Sequence, residues 1–134
     1  MGQGWVDLHL HVVPQVDDGA KSLEEAVALV QLLKSLGFEQ AAPSPHHRPE
    51  HAPREKCLSQ LKVLQDALAK SGVEFPLHES AENFFLDDRL FEEVATGTCR
   101  TIGATGKFLL VEAPYAAPLS ALAQMIFRMK VKGL

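Results

Sequence analysis

The stretch Trp5-Val6-Asp7-Leu8-His9-Leu10-His11-Val12-Val13 decides the fold. It has the composition of a strand, and successive side chains of a strand alternate faces, so His9 and His11 share one side. Asp7 joins them there, while Val6, Leu8, Leu10 and Val12 point the other way. The run then turns into Val16-Asp17-Asp18-Gly19, an acidic loop containing a glycine. Two imidazoles aimed at one spot beside such a loop suit a divalent metal. Taken alone, the pair equally fits polar residues on the wet face of an edge strand.

The chain downstream alternates helices and strands. Ser22-Leu23-Glu24-Glu25 is a capping box, with Ser22 as N-cap and Glu25 at the third helical position. Leu23, Ala26, Val27, Val30, Leu33 and Leu36 then recur at helical spacing, and Gly37 ends the helix. A second helix is predicted from about Pro53 to Ser71, striped by Leu58, Leu61, Leu64 and Leu68. A shorter one runs from about Asp87 to Ala95. A last one opens at Ala117-Pro118-Leu119 with Leu122, Met125, Ile126 and Met129 inward. Such alternation implies βαβ crossovers and a parallel sheet.

Three further apolar runs end in ligand-type residues. Phe38 to Pro45 leads into His46-His47-Arg48, Val73 to His78 into Ser80-Ala81-Glu82-Asn83, and Lys107 to Val111 into Glu112. Each motif is weak alone; a lone Glu after a hydrophobic run is usually a solvated strand end. In a parallel α/β protein, however, the strand C-termini meet at one rim, where active sites are assembled. The polar loop from His46 to Pro53 is expected at that rim, over the site.

The segment from His9 through Asp17-Asp18-Gly19 to Glu25 resembles the opening of the polymerase-and-histidinol-phosphatase (PHP) superfamily. More narrowly, it is similar to bacterial metal-dependent tyrosine phosphatases encoded with capsule and exopolysaccharide genes. Pro43-Ser44-Pro45-His46-His47, Ala81-Glu82 and Leu110-Val111-Glu112-Ala113-Pro114 continue the match in order. Asn83 departs from the usual aliphatic residue, and Ala113 from a common Phe. The resemblance covers essentially the whole chain, yet only the N-terminal half of the family pattern. Relatives continue past Lys132-Gly133-Leu134 with a His-Pro-Glu-Arg-like motif and an Asp-x-His motif. Residues 1–134 are therefore expected to be a single, C-terminally truncated domain, α/β, with parallel βα units forming about the first half of a distorted TIM-like barrel.

The resemblance implies a phosphotyrosine phosphatase. Its protein substrate would be a bacterial tyrosine kinase that regulates capsule or exopolysaccharide synthesis. A divalent metal cluster is implied, with Mn first and Fe or Zn as alternatives. His9, His11 and Glu82 would contribute to one ion, Glu82 and Glu112 to a second, and Asp18 and His46 to a third. Asp17 would cap or orient its loop. His47 and Arg48 are candidates for holding phosphate, or equally a surface His-Arg pair. Tyrosine, with a phenol pKa of about 10, leaves without a strong general acid. Two other readings stand beside this one: a PHP phosphoesterase acting on a small phosphorylated metabolite, and a truncated non-catalytic fragment.

Composition bounds the rest. The chain has 134 residues, 46% of them apolar, enough for one core. Its net charge of −4 gives no electrostatic case for nucleic acid or an anionic membrane. No apolar stretch approaches a membrane span, and no signal peptide is evident. Cys57 and Cys99 read as free thiols of a reducing cytoplasm, and neither has an Arg six positions later. The Cys-x5-Arg loop of cysteine-based phosphatases is thus absent. The unpaired edges of a half-barrel favour self-association into a homo-oligomer.

Overall fold

The computed structural model describes residues 4–84, 88–113, 115–116 and 119–131. Four short strands alternate with four helices: β1 (Trp5–Asp7), α1 (Leu23–Ser35), β2 (Phe38–Ala41), α2 (Arg54–Lys70), β3 (Glu82–Phe84), α3 (Asp88–Thr96), β4 (Leu110–Glu112) and α4 (Leu119–Val131). Strand β1 pairs with β2 and β3 with β4, both in parallel. Single parallel bridges, Ala41 to Leu77 and His46 to Glu82, join the β2 segment to the β3 segment. The four strand segments are therefore neighbours in chain order, the arrangement of successive βα units in a barrel.

Helix α1 starts where its capping box places it. Ser22 Oγ accepts from the Glu25 N–H at 3.2 Å, and Glu25 returns a carboxylate oxygen to the Lys21 N–H at 2.7 Å. Gly37 follows with φ of 93°, a left-handed conformation that glycine adopts without strain. Helix α2 begins one residue after Pro53 and ends before Ser71, as its leucine stripe requires. Helix α3 is found over Asp88–Thr96; Asp87, like Pro114, Ala117, Pro118 and Lys132 to Leu134, lies outside the described residues.

The main core is buried between α1, α2 and the first strand segments. Val12, Val30 and Leu64 are wholly inaccessible there, and Val13, Leu68 and Leu77 are buried with them. A second, smaller cluster of Leu90, Phe91, Val94 and Met129 packs α3 and α4 against Val111 and Leu109. Arg128 lies 4.7 Å over the Phe91 ring and closes that cluster with its cation. Three expected core positions are instead exposed: Leu36, Leu58 and Ile126. Each stands at the margin of its helix's apolar stripe, and a layer of helices on one side of a sheet covers only the stripe's centre.

The strands are shorter than the apolar runs suggest. Strand β1 stops at Asp7, and Val73 to His78 forms only the single bridge at Leu77. Side chains cause the first interruption: Asp7 Oδ1 accepts from the His9 N–H at 3.0 Å and replaces a ladder bond. Asp7 therefore turns back on the backbone instead of joining His9 and His11. No helix among the described residues is long and apolar enough to cross a membrane.

Candidate metal centre

Beyond Asp7 the chain leaves the strand and bends at His9, running beside Pro43-Ser44-Pro45. The prolines have no N–H to offer. Ser44 makes the stitch alone, donating its N–H to Leu10 O at 2.8 Å while its Oγ accepts from the Leu10 N–H at 3.0 Å. This irregular pairing projects His9 and His11 from either side of Leu10 toward the end of β3.

There they meet Glu82, a buried carboxylate at the start of β3. His9 Nε2 lies 3.0 Å from Glu82 Oε1, and His11 Nε2 lies 3.2 Å from Oε2. The two imidazole nitrogens are 3.4 Å apart. His46 Nδ1 is 3.1 Å from Glu82 Oε2 and 3.7 Å from Glu112 Oε2, which arrives from the end of β4. On the far side of its ring, His46 Nε2 is 3.3 Å from Asp18 Oδ1. All six residues that the sequence nominates as ligands thus converge, contributed by four strand segments and the loop after the first.

The donor set fits a metal. Imidazole and carboxylate donors bind first-row ions at roughly 2.0–2.2 Å, which spaces neighbouring donors of one ion by about 2.8–3.6 Å. The His9, His11 and Glu82 atoms have that spacing. His46 faces two ways: with Nδ1 toward Glu82 and Glu112 its Nε2–H is left for Asp18, and with Nε2 toward Asp18 its Nδ1–H is left for Glu82. Three overlapping groups have their donor atoms within 4.8 Å of one another: His9-His11-Glu82, His46-Glu82-Glu112, and His11-Asp17-Asp18-His46. Mixed nitrogen and oxygen donors of this kind suit Mn, Fe or Zn.

Asp17 is the organiser of the loop. Its Oδ2 accepts from His11 Nδ1–H at 2.9 Å and from the His46 N–H at 3.1 Å, and its Oδ1 accepts from the Gly19 N–H at 2.9 Å. With the His11 proton held on Nδ1, the Nε2 lone pair is directed at the centre. The Asp17 hydrogen bond raises the His11 pKa above its ordinary 6.5, outweighing burial. Burial pushes Asp17 up, but bonds from His11, Gly19 and His46 prevail and hold it below its ordinary 3.8. Gly19 permits the fold-back, since a Cβ there would sit 2.1 Å from His11 O.

His47 and Arg48 separate in role. His47 Nε2 donates to both carboxylate oxygens of Glu93, at 2.9 and 3.0 Å, and its backbone N–H donates to Glu82 O at 2.8 Å. Arg48 lines a cleft of about 240 Å³ with Asp17, Asp18, His46 and His51. Its guanidinium has no partner among the described residues. Asn83, unusual beside Glu82, is structural: its buried amide donates to Leu110 O at 3.0 Å and Arg100 O at 3.1 Å, tying β3 to β4. Cys57 is buried, and burial pushes the Cys99 thiol up, so neither is an activated nucleophile. Glu93 was not foreshadowed, because nothing local marks a partner lying on another element 46 residues away.

Residues 5–134 match the family described as Capsular polysaccharide synthesis, CpsB/CapC. The chain belongs to this family. One curated CpsB/CapC relative is CapC of Staphylococcus aureus, provisionally named a tyrosine-protein phosphatase. It is 26% identical over 113 residues, covering 81% of this chain and 43% of CapC. A solved chain from the crystal structures of YwqE of Bacillus subtilis and CpsB of Streptococcus pneumoniae, described as unique metal-dependent tyrosine phosphatases, has the same fold. Its TM-score is 0.83 at 20% identity, covering 96% of this chain and 52% of that one. The chain thus spans about half the length of the relatives it matches, and its βα units correspond to part of their barrel.

Proposed function

We propose that this chain carries the metal-binding part of a phosphatase that hydrolyses phosphotyrosine on a protein of capsule or exopolysaccharide synthesis, a tyrosine kinase of that system being the substrate. The observation that carries the reading is the convergence of His9, His11, His46, Glu82 and Glu112 around one buried carboxylate at ligand spacing. CpsB/CapC membership supports the substrate class. Bound divalent ions would lower the pKa of water and offset charge on the phosphoryl oxygens.

The chain's own residues do the rest. His9, His11 and Glu82 would hold one ion, Glu82 and Glu112 a second, and Asp18 with His46 a third, with Mn the first to try. Asp17 keeps the His11 proton on Nδ1. Arg48, charged and without a partner among the described residues, would take the phosphoryl oxygens in its cleft. We place the protein in the cytoplasm, where its thiols stay free, and expect self-association through exposed Trp5, Val6 and Leu8 along β1.

The test is hydrolysis of p-nitrophenyl phosphate and of a phosphotyrosine peptide by the purified chain with excess Mn²⁺, beside CpsB of Streptococcus pneumoniae, described as a metal-dependent tyrosine phosphatase, as positive control. Chelator should abolish turnover, His9→Ala should lower it by orders of magnitude, and alkylation of Cys57 and Cys99 should leave it intact. Activity that survives chelation but dies on alkylation overturns the mechanism. A chain without turnover beside active CpsB overturns the assignment of activity to this chain.

A further inference from the structure

Helix α3 grips the loop that follows His46 at two points. Glu93 binds His47 Nε2 through both oxygens, at 2.9 and 3.0 Å, and both side chains are mostly buried. One turn earlier on the same helix, Arg89 Nη1 donates to Glu50 Oε2 at 3.2 Å. Residues four apart share a helix face, so the two contacts act from one side. The Arg89–Glu50 pair is exposed and screened; the Glu93–His47 pair is the stronger hold.

Between these points the backbone is closed on itself. The His51 and Ala52 N–H groups both donate to Arg48 O, at 2.9 and 2.8 Å. His47 is pinned from its other side by Glu82 O at 2.8 Å. Arg48 is therefore the residue between a doubly anchored His47 and a tight turn, with its own guanidinium unpartnered among the described residues.

We propose that α3 is a clamp, and that Glu93, with Arg89 in support, positions Arg48 over the metal centre to receive an oxyanion, the phosphoryl group of the substrate or the phosphate released from it. Glu93 and His47 are positioning residues that touch neither substrate nor metal. The proposal rests on the phosphatase reading for the identity of the anion, and on geometry alone for the clamp.

The experiment compares wild type, Glu93→Ala and Glu93→Gln. Gln keeps one acceptor for the His47 N–H, so it should recover most of what Ala loses. Amide hydrogen exchange at residues 48–52 should quicken about tenfold in Glu93→Ala. Inorganic phosphate, titrated against the Mn²⁺-loaded chain, should bind about tenfold more weakly, while Mn²⁺ affinity stays within twofold. In the turnover assay the loss should fall on KM and leave kcat within twofold. Unchanged exchange in a folded Glu93→Ala chain refutes the clamp, whatever the activity. Faster exchange with unchanged phosphate affinity refutes the positioning of Arg48. A wild type without phosphate affinity or turnover removes the phosphatase reading, and the exchange result alone then decides the clamp.

Discussion

Asp17→Asn is the substitution that tests the organisation of the centre most directly. Asp17 spends both oxygens as acceptors: Oδ2 for the His11 ring and the His46 N–H, Oδ1 for the Gly19 N–H. Asparagine has the same shape but only one acceptor. If its oxygen faces Gly19, its NH₂ opposes two donors on the other side. If it faces His11, the NH₂ opposes the Gly19 N–H. The first arrangement is relieved only at His11, by moving its proton to Nε2, which removes the lone pair available to a metal and still leaves the His46 N–H unpaired. The second leaves one backbone N–H unpaired, at about 1–3 kcal/mol of stability. Loss of such an orienting carboxylate typically lowers metal affinity about 10–100-fold, or roughly 1.4–2.8 kcal/mol. We expect that range for Mn²⁺ by isothermal titration calorimetry, together with a lowered melting temperature of the metal-free chain. Mn²⁺ affinity equal to wild type in a folded Asp17→Asn chain would refute the claim that Asp17 sets the His11 tautomer.

The pH response of the same pair follows from the direction of each shift. His11 lies above its ordinary 6.5, so its contribution is complete below that value and fades as pH rises through the raised one; Asp17 lies below its ordinary 3.8, so its contribution is complete above that value and fades as pH falls through the lowered one. The metal-free wild type should therefore melt highest between those limits, and Asp17→Asn should lose the fall on the alkaline side; superimposable pH profiles would contradict this. Gly19→Ala should weaken Mn²⁺ binding as much as removing a ligand, because its Cβ would lie 2.1 Å from His11 O and 2.6 Å from His11 Cβ. Unaltered affinity there would show that the loop tolerates the displacement. Leu64→Ala, at a wholly buried position, should cost about 2–5 kcal/mol by urea unfolding, and a loss under 1 kcal/mol would place Leu64 outside the core.

The convergence of the candidate ligands was legible because they sit at the ends of apolar runs, a position that parallel topology converts into proximity. The capping role of Asp17 was also readable, since an acid two residues before a loop glycine is placed to accept from its N–H. The boundaries of α1 followed from Ser22, Glu25 and Gly37, which act within one turn. What the sequence concealed was set by partners far away in the chain. Strand β1 looks like nine residues of strand, but Asp7 and Ser44 replace its ladder with side-chain bonds. Leu36, Leu58 and Ile126 fit a helical period, yet the period alone does not say how wide a stripe the neighbouring layer covers. His47 looked like a phosphate contact because it adjoins His46. Neighbouring residues of an extended chain face opposite ways, and the opposite way holds Glu93.

Glu82 is the residue around which the cluster is assembled. A carboxylate this buried cannot remain charged without compensation. Three imidazoles surround it, with nitrogens at 3.0, 3.2 and 3.1 Å from its oxygens. Divalent ions held by these donors, as proposed, would supply the same countercharge to Glu82. Asp7, Ser44 and Asp17 hold the surrounding chain in place through bonds from backbone and ring N–H groups. Asp17 orients two of the candidate ligands at once, through the His11 ring and the His46 N–H, and this makes it a sharper probe of the centre than any single candidate ligand.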